Sequence, residues 1–171
     1  MRLFVAAWPP ADVRAALAAV VGPEPPPDGV RLVPPDPFHV TLRFLGSIDR
    51  AEAVIEALAA ADLASASAIG GPSVERVGQQ AAVVPIDGLD ELAAAVVAVT
   101  VELGQPPSER PFRGHITLAR SKRGEFGGLI GRPVTVSWPV TSIRVVRSHL
   151  RPDGAEYETI HVIDLATPVL P

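Results

Sequence analysis

Cysteine is absent from the 171 residues, which excludes structural disulfides, thiolate zinc sites and cysteine nucleophiles and is compatible with a reducing compartment. Long apolar runs are absent too: no stretch approaches the ~20 uninterrupted apolar residues of a membrane span. The opening Met1-Arg2-Leu3-Phe4-Val5-Ala6-Ala7-Trp8 is too short for a secretory leader and runs at once into Pro9-Pro10. A soluble, cytoplasmic protein with no membrane partner is expected. Lysine is nearly missing, Lys122 standing against 14 arginines, a compositional bias that robs arginine richness of weight by itself. Positive charge is not in excess either. The net charge of -4 argues against tight non-specific binding to long nucleic acid, which requires many phosphates to be neutralised. Neither a Gly-x-Ser-x-Gly elbow, nor a Walker loop, nor a Gly-x-Gly-x-x-Gly following a strand occurs.

What the chain does contain is one four-residue phrase written twice, His39-Val40-Thr41-Leu42 and His115-Ile116-Thr117-Leu118. Side chains alternate along a strand, so His and Thr share one face of each copy and the apolar pair takes the other. With four histidines and seven threonines in the chain, two His followed by Thr at that spacing has a chance probability of roughly 1%, before the apolar neighbours are required as well. A single strand histidine is more often a hydrogen-bonded structural residue; the repetition is what favours function. His149 and His161 lack the threonine partner and are expected to be structural or exposed.

Around the two phrases the patterning mixes strands and helices. Strands are expected at Arg2 to Trp8, Val30 to Val33, Phe38 to Leu45, Ala81 to Ile86, Val134 to Trp138, Thr141 to Leu150 and Glu156 to Leu165, with another carrying the second phrase. Ser65 to Val77 is weakly patterned, either irregular or a strand interrupted at Gly70-Gly71-Pro72, and Ser121 to Gly131 is irregular or a short helix. Helices are expected from Pro9-Pro10 to Val21, from an Asp49/Glu52 capping box to Ala61, and from Leu89 to Leu103 before Gly104. The Pro-rich stretches Gly22 to Gly29 and Gln105-Pro106-Pro107 are stiff connectors. Two similar halves in a chain of this length predict an α+β fold over residues 1-171, a single bilobal domain with one motif (39-42 and 115-118) per lobe, each lobe a small antiparallel-rich sheet backed by helices. The boundary is expected near Gly78 or Gly104.

If the two strands face each other, two imidazoles and two hydroxyls converge on one cleft. Histidine's unperturbed pKa near 6.5 lets one ring accept a proton while the other donates one, and Thr41 and Thr117 are placed to hydrogen-bond phosphate oxygens. Phosphoryl transfer without a metal or other cofactor suits this set. Zinc sites favour carboxylate or cysteine companions at short spacing, and neither phrase holds one. Arg110, Arg113, Arg120, Lys122 and Arg123 flank the second phrase, and Arg144, Arg147 and Arg151 cluster later. They suit a phosphate-sized anion, in competition with an ordinary solvated face.

Longer blocks carry a family resemblance. Arg2-Leu3-Phe4-Val5-Ala6, VRLVPPDPFHVTLRFLG (Val30 to Gly46), RPFRGHITLARSK (Arg110 to Lys122) and RSHLRPDGAEY (Arg147 to Tyr157) resemble, in order, the blocks of the two-histidine phosphoesterases, and among them the RNA 2′,3′-cyclic phosphodiesterases or 2′-5′ RNA ligase-like proteins. The resemblance implies a pseudo-two-fold fold with the active-site cleft between lobes, and metal-independent hydrolysis of a 2′,3′-cyclic phosphate on an RNA end or small cyclic nucleotide to a 2′-phosphomonoester; a monomer is expected. On it His115 would activate water, His39 would protonate the departing 3′ oxygen, and Thr41 and Thr117 would bind phosphate. Arg43, on the His39 face if the strand is regular, stands where the family has a Lys and would be a further phosphate contact; Arg120 would point away. Leu32 stands where an aromatic is frequent, and Gly114 replaces a frequent Pro, leaving the entry to His115 more flexible. Two alternatives remain: a phosphoesterase for another small cyclic phosphate, or a non-catalytic module binding RNA ends or nucleotides.

Overall fold

The first strand is apolar on both faces, and such a strand has to be covered on both. In the computed structural model, which describes residues 1–167, it is an interior strand. Elements follow in the order β1 (Arg2–Ala7), α1 (Ala11–Val21), β2 (Val30–Leu32), β3 (Val40–Ser47), α2 (Ala51–Ala59), β4 (Ala66–Gly70), β5 (Glu75–Val77), β6 (Ala81–Asp87), α3 (Asp90–Val99), β7 (His115–Ser121), β8 (Val136–Val140), β9 (Ser142–Arg151) and β10 (Gly154–Asp164). They form an α+β fold of two antiparallel sheets, one ordered β10-β9-β1-β3 and the other β2-β7-β6-β4-β8, with β5 beside β6. Among the described residues no helix is long and apolar enough to cross a membrane.

The sheets are not the two sequential halves of the chain. From the first half, β2 joins the second sheet; from the end of the chain, β9 and β10 complete the first. The helices cross over as well, α1 packing on β7 and β8 and α3 on β3. A boundary near Gly78 or Gly104 therefore does not exist as a cut between lobes. One contiguous core draws Val5, Val40 and Val145 from the first sheet together with Val84, Ile116 and Leu118 from the second. The helix ends also differ from expectation: α2 opens at Arg50 without a side-chain cap, so Asp49 and Glu52 form no capping box, and α3 ends at Thr100, whose hydroxyl donates back to Val96 O at 2.6 Å.

The motif strands share one irregularity. Against β1, Thr41 pairs with Ala6 but Arg43 pairs with Val5, leaving Leu42 as an extra residue; against β6, Thr117 pairs with Val83 but Ala119 with Ala82, leaving Leu118 extra. A bulge of this kind reverses the parity of everything after it. Arg43 is thereby turned into the protein, only 5% exposed, where its guanidinium donates to Gln105 O at 2.7 Å and Leu103 O at 3.4 Å. This corrects the expectation that Arg43 contacts phosphate: it staples β3 to the loop after α3. Replacing Arg43 with Met, which strands both carbonyls without a charged donor, is expected to lower the unfolding free energy by about 1.5–3 kcal/mol in urea titrations.

Candidate active site

Beyond the bulge the same parity change brings Phe44 and Arg120 back to the His-Thr face, since they pair with Phe4 and Ala81. Both sheets then turn a polar strip toward the same space. A cleft of about 980 Å³ is lined by Trp8, His39, Thr41, Arg144 and Tyr157 of the first sheet side and by Arg31, Leu32, His115, Thr117 and Arg120 of the second. A smaller cavity with Gln79, Gln80 and Arg110 adjoins it at His115, Thr117 and Arg120. So the structure brings His39, His115, Thr41 and Thr117 together, leaves Arg43 out, and adds Arg120. His149 lies outside the cleft, paired with Glu158 at 2.8 Å on an exposed surface, and its hydrogen bond holds the Glu158 carboxyl below its usual range. His161 is exposed.

Each motif histidine is held in the same way. The Nδ1 of His39 lies 2.7 Å from Pro37 O, and the Nδ1 of His115 lies 2.7 Å from Arg113 O, both two residues upstream. A carbonyl only accepts, so Nδ1 carries the hydrogen in both rings. Each Nε2 is left without a protein partner among the described residues and is the atom available for proton transfer. Neutral, it accepts a proton; in the cation it donates one.

The surroundings of the two rings differ. His39 stacks on Trp8 (centroids 4.9 Å apart, planes 19° from parallel), lies 5.2 Å from Phe4 and meets Tyr157 edge-on at 5.2 Å and 84°. Aromatics make up 5% of the chain, and three of them enclose this one ring. Burial lowers the proton affinity of His39 below the ordinary imidazole value, the hydrogen bond to Pro37 O opposes this, and the positive charges of His115 and Arg120 add to the lowering. Trp8 is fixed in turn by its Nε1 donating to Asp36 O at 2.9 Å. The ring of His115 is half-exposed.

Gly114 does not act through flexibility, as its sequence context suggested. Its carbonyl accepts from Ile86 N at 2.8 Å, and a Cβ at this position would collide with the Ile86 carbonyl oxygen. Glycine lets β6 approach closely and sets where His115 begins. At the far end of the cleft Arg31 donates to Asp153 O at 2.5 Å, tying β2 to the tip of the β9–β10 hairpin, while Arg151 pairs with Glu156 at 3.1 Å. Among the described residues no group of three or more His, Cys, Asp or Glu is arranged to hold a metal ion.

Sequence reasoning missed Phe4, Trp8 and Tyr157 as site residues, and named Arg144 only within a cluster suited to a phosphate-sized anion. A signal existed for two of them: Phe4, Ala6 and Trp8 alternate along β1, opposite to Leu3, Val5 and Ala7, which belong to the core.

Comparison with known proteins shows the family and the fold. The family described as LigT like Phosphoesterase matches residues 8–69. The RNA 2′,3′-cyclic phosphodiesterase of Thermus thermophilus is 32% identical over a 189-residue alignment covering 96% of this chain and 90% of the relative. The crystal structure of TT0787 from Thermus thermophilus superposes with a TM-score of 0.77 at 31% identity, covering 96% of this chain and 98% of that one. E. coli LigT complexed with 3′-AMP superposes with a TM-score of 0.79 at 24% identity, covering 96% and 97%, a likeness of fold.

Two outcomes test the site as described. In an NMR titration the His39 ring is expected to change protonation below pH 6.5, and to do so at higher pH in Arg120→Ala, where a repelling charge is gone. Gly114→Ala is expected to cost about 1–3 kcal/mol of stability, measured by thermal unfolding, because backbone of β6 has to move away.

Proposed function

Because the chain belongs to the LigT-like, two-histidine phosphoesterase family, we propose that it hydrolyses the 2′,3′-cyclic phosphate of an RNA end or nucleotide to a 2′-phosphomonoester, without a metal ion. The observation that carries this reading is the pair of matched imidazoles, each with Nδ1 tied to a carbonyl two residues upstream and Nε2 open to one shared cleft. In support, the Thermus thermophilus relative is named for the same reaction, and the E. coli protein of like fold is complexed with 3′-AMP.

In the proposed reaction the scissile phosphate sits between the motif strands. The Thr41 and Thr117 hydroxyls donate to its non-bridging oxygens and the Arg120 guanidinium opposes its charge. Neutral Nε2 of His115 takes a proton from water, the water oxygen bonds to phosphorus in line, the bond from phosphorus to the 3′ oxygen breaks, and the cationic Nε2 of His39 gives its proton to that oxygen. Phosphorus keeps its bond to the 2′ oxygen, and proton exchange with solvent resets the rings. Once charged, the enclosed His39 holds its proton loosely and is the stronger acid, while the same enclosure lowers the fraction of the ring that is charged. Leu32 on the cleft wall offers an apolar contact where an aromatic would stack on a base. With the reading goes a cytoplasmic monomer acting on RNA ends.

The test is turnover of a nucleoside 2′,3′-cyclic phosphate in the presence of chelator, with the 2′-phosphate as product. His39→Ala and His115→Ala are each expected to lose about 10²–10⁴-fold. On bis(p-nitrophenyl) phosphate, whose leaving group departs without a proton, His39→Ala is expected to lose far less than His115→Ala; the reverse ranking would exchange the two roles. Binding of the cyclic nucleotide with no turnover by the unaltered protein would leave a binding module instead.

A further inference from the structure

Of the four cleft arginines, Arg31 and Arg151 are engaged by Asp153 O and Glu156, while Arg120 stands beside the motif of the second sheet. Arg144 remains. It lies on β9, half-buried on the cleft wall, and makes no hydrogen bond or ion pair with protein among the described residues. Its guanidinium lies over the Trp8 ring, 4.8 Å from the centroid. Because β1, which leads into Trp8, runs between β9 and β3, the indole is flanked by His39 from one neighbouring strand and Arg144 from the other. A guanidinium that stacks by its face keeps all five N–H donors in its plane, free at the edge.

The setting is costly for a bare cation. Burial lowers the proton affinity of Arg144, and the charge of Arg14 on α1 repels it as well. A half-buried guanidinium on the cleft wall with no carboxylate bonded to it marks a place completed by an anion. The position relative to the chemistry is fixed by register. Arg144, Ala6 and Thr41 are direct cross-strand neighbours on β9, β1 and β3, so the first and last stand about 10 Å apart at two strand spacings. A cleft of about 980 Å³ is at the upper end of ordinary ligand pockets and accommodates more than one nucleoside.

Resting on the cyclic phosphodiesterase reading, we propose that Arg144 binds a second phosphate, the one on the 5′ side of the ribose that carries the cyclic phosphate. It is on this view a specificity-determining residue: it selects 5′-phosphorylated nucleotides and oligonucleotide ends over nucleosides bearing only the cyclic group. Its contact is made by in-plane N–H donors, while its face remains on Trp8.

The experiment compares kcat/KM for adenosine 2′,3′-cyclic phosphate with that for its 5′-phosphorylated form, two substrates that differ by one phosphate. The unaltered protein is expected to favour the 5′-phosphorylated substrate by about ten- to hundredfold, as a charge-assisted contact provides. Arg144→Gln keeps a planar group against Trp8 without the charge, and the preference is expected to fall to near unity; Arg144→Lys is expected to retain part of it. Loss of activity common to both substrates reports disturbance of Trp8 and His39 and cancels in the ratio, and residual turnover of either substrate shows that the variant is folded. A ratio near unity in the unaltered protein, or an unchanged ratio in Arg144→Gln, overturns the assignment while leaving the phosphodiesterase reading intact. Failure of the unaltered protein to turn over either substrate overturns that reading and this inference with it.

Discussion

In each motif strand the leucine that closes the motif, Leu42 or Leu118, is out of step with the partner strand, and the geometry of the site depends on those two residues. A regular strand would send positions 39, 41 and 43, or 115, 117 and 119, to one face. With Leu42 and Leu118 taken up as extra residues, each strand points His and Thr to the cleft, buries the next two side chains, and returns to the His-Thr face with Phe44 or Arg120. Both leucines are buried, so the core itself holds the bulges in place. The polar strips and the apolar interior are thus consequences of one arrangement, since neither strand can present its motif without also anchoring the leucine that follows it.

Duplication accounts for what the two rings have in common, and divergence around them accounts for what they do not. Identical hydrogen bonds from Nδ1 to a carbonyl two residues upstream fix the same tautomer in both halves. The packing then separates them: Phe4, Trp8 and Tyr157 close around His39, whereas His115 opens toward the smaller cavity at Gln79 and Gln80. Desolvation lowers the proton affinity of His39, with no acidic residue assigned to its ring.

Most of this was legible in the chain as a string. The repeated phrase marked the four residues that meet in the cleft, and apolar periodicity placed the strands and helices to within a few residues at their ends. What could not be read arises from register and from long-range assembly. Arg43 and Arg120 were assigned to the wrong faces because a bulge leaves no mark in the alternation of side chains until the partner strand is known. Gly114 read as a flexible position because only the fold shows the Ile86 carbonyl pressed against it. Arg144 and Trp8 are far apart in sequence and met only once β9 was laid against β1. The interleaving of the sheets was hidden for the same reason, since β2 with its three residues carries no label saying which sheet it completes.

That interleaving has a consequence for how the molecule is made. The register of the first sheet sets Arg2 opposite Ser148, so β1 leaves the ribosome well before β9 and waits for it before its second edge is covered. The β1–β3 pair can form early through its own contacts, but until β9 emerges it exposes an unpaired edge and an apolar surface, the condition in which nascent chains pair wrongly with one another. Contacts so distant in sequence also slow folding, because a long loop has to close before they are made. The aromatic wall around His39 shares this dependence, as Tyr157 arrives with the final strand. A ribosome-bound chain truncated before that hairpin would therefore carry both motifs and still lack the enclosure that distinguishes one histidine from the other.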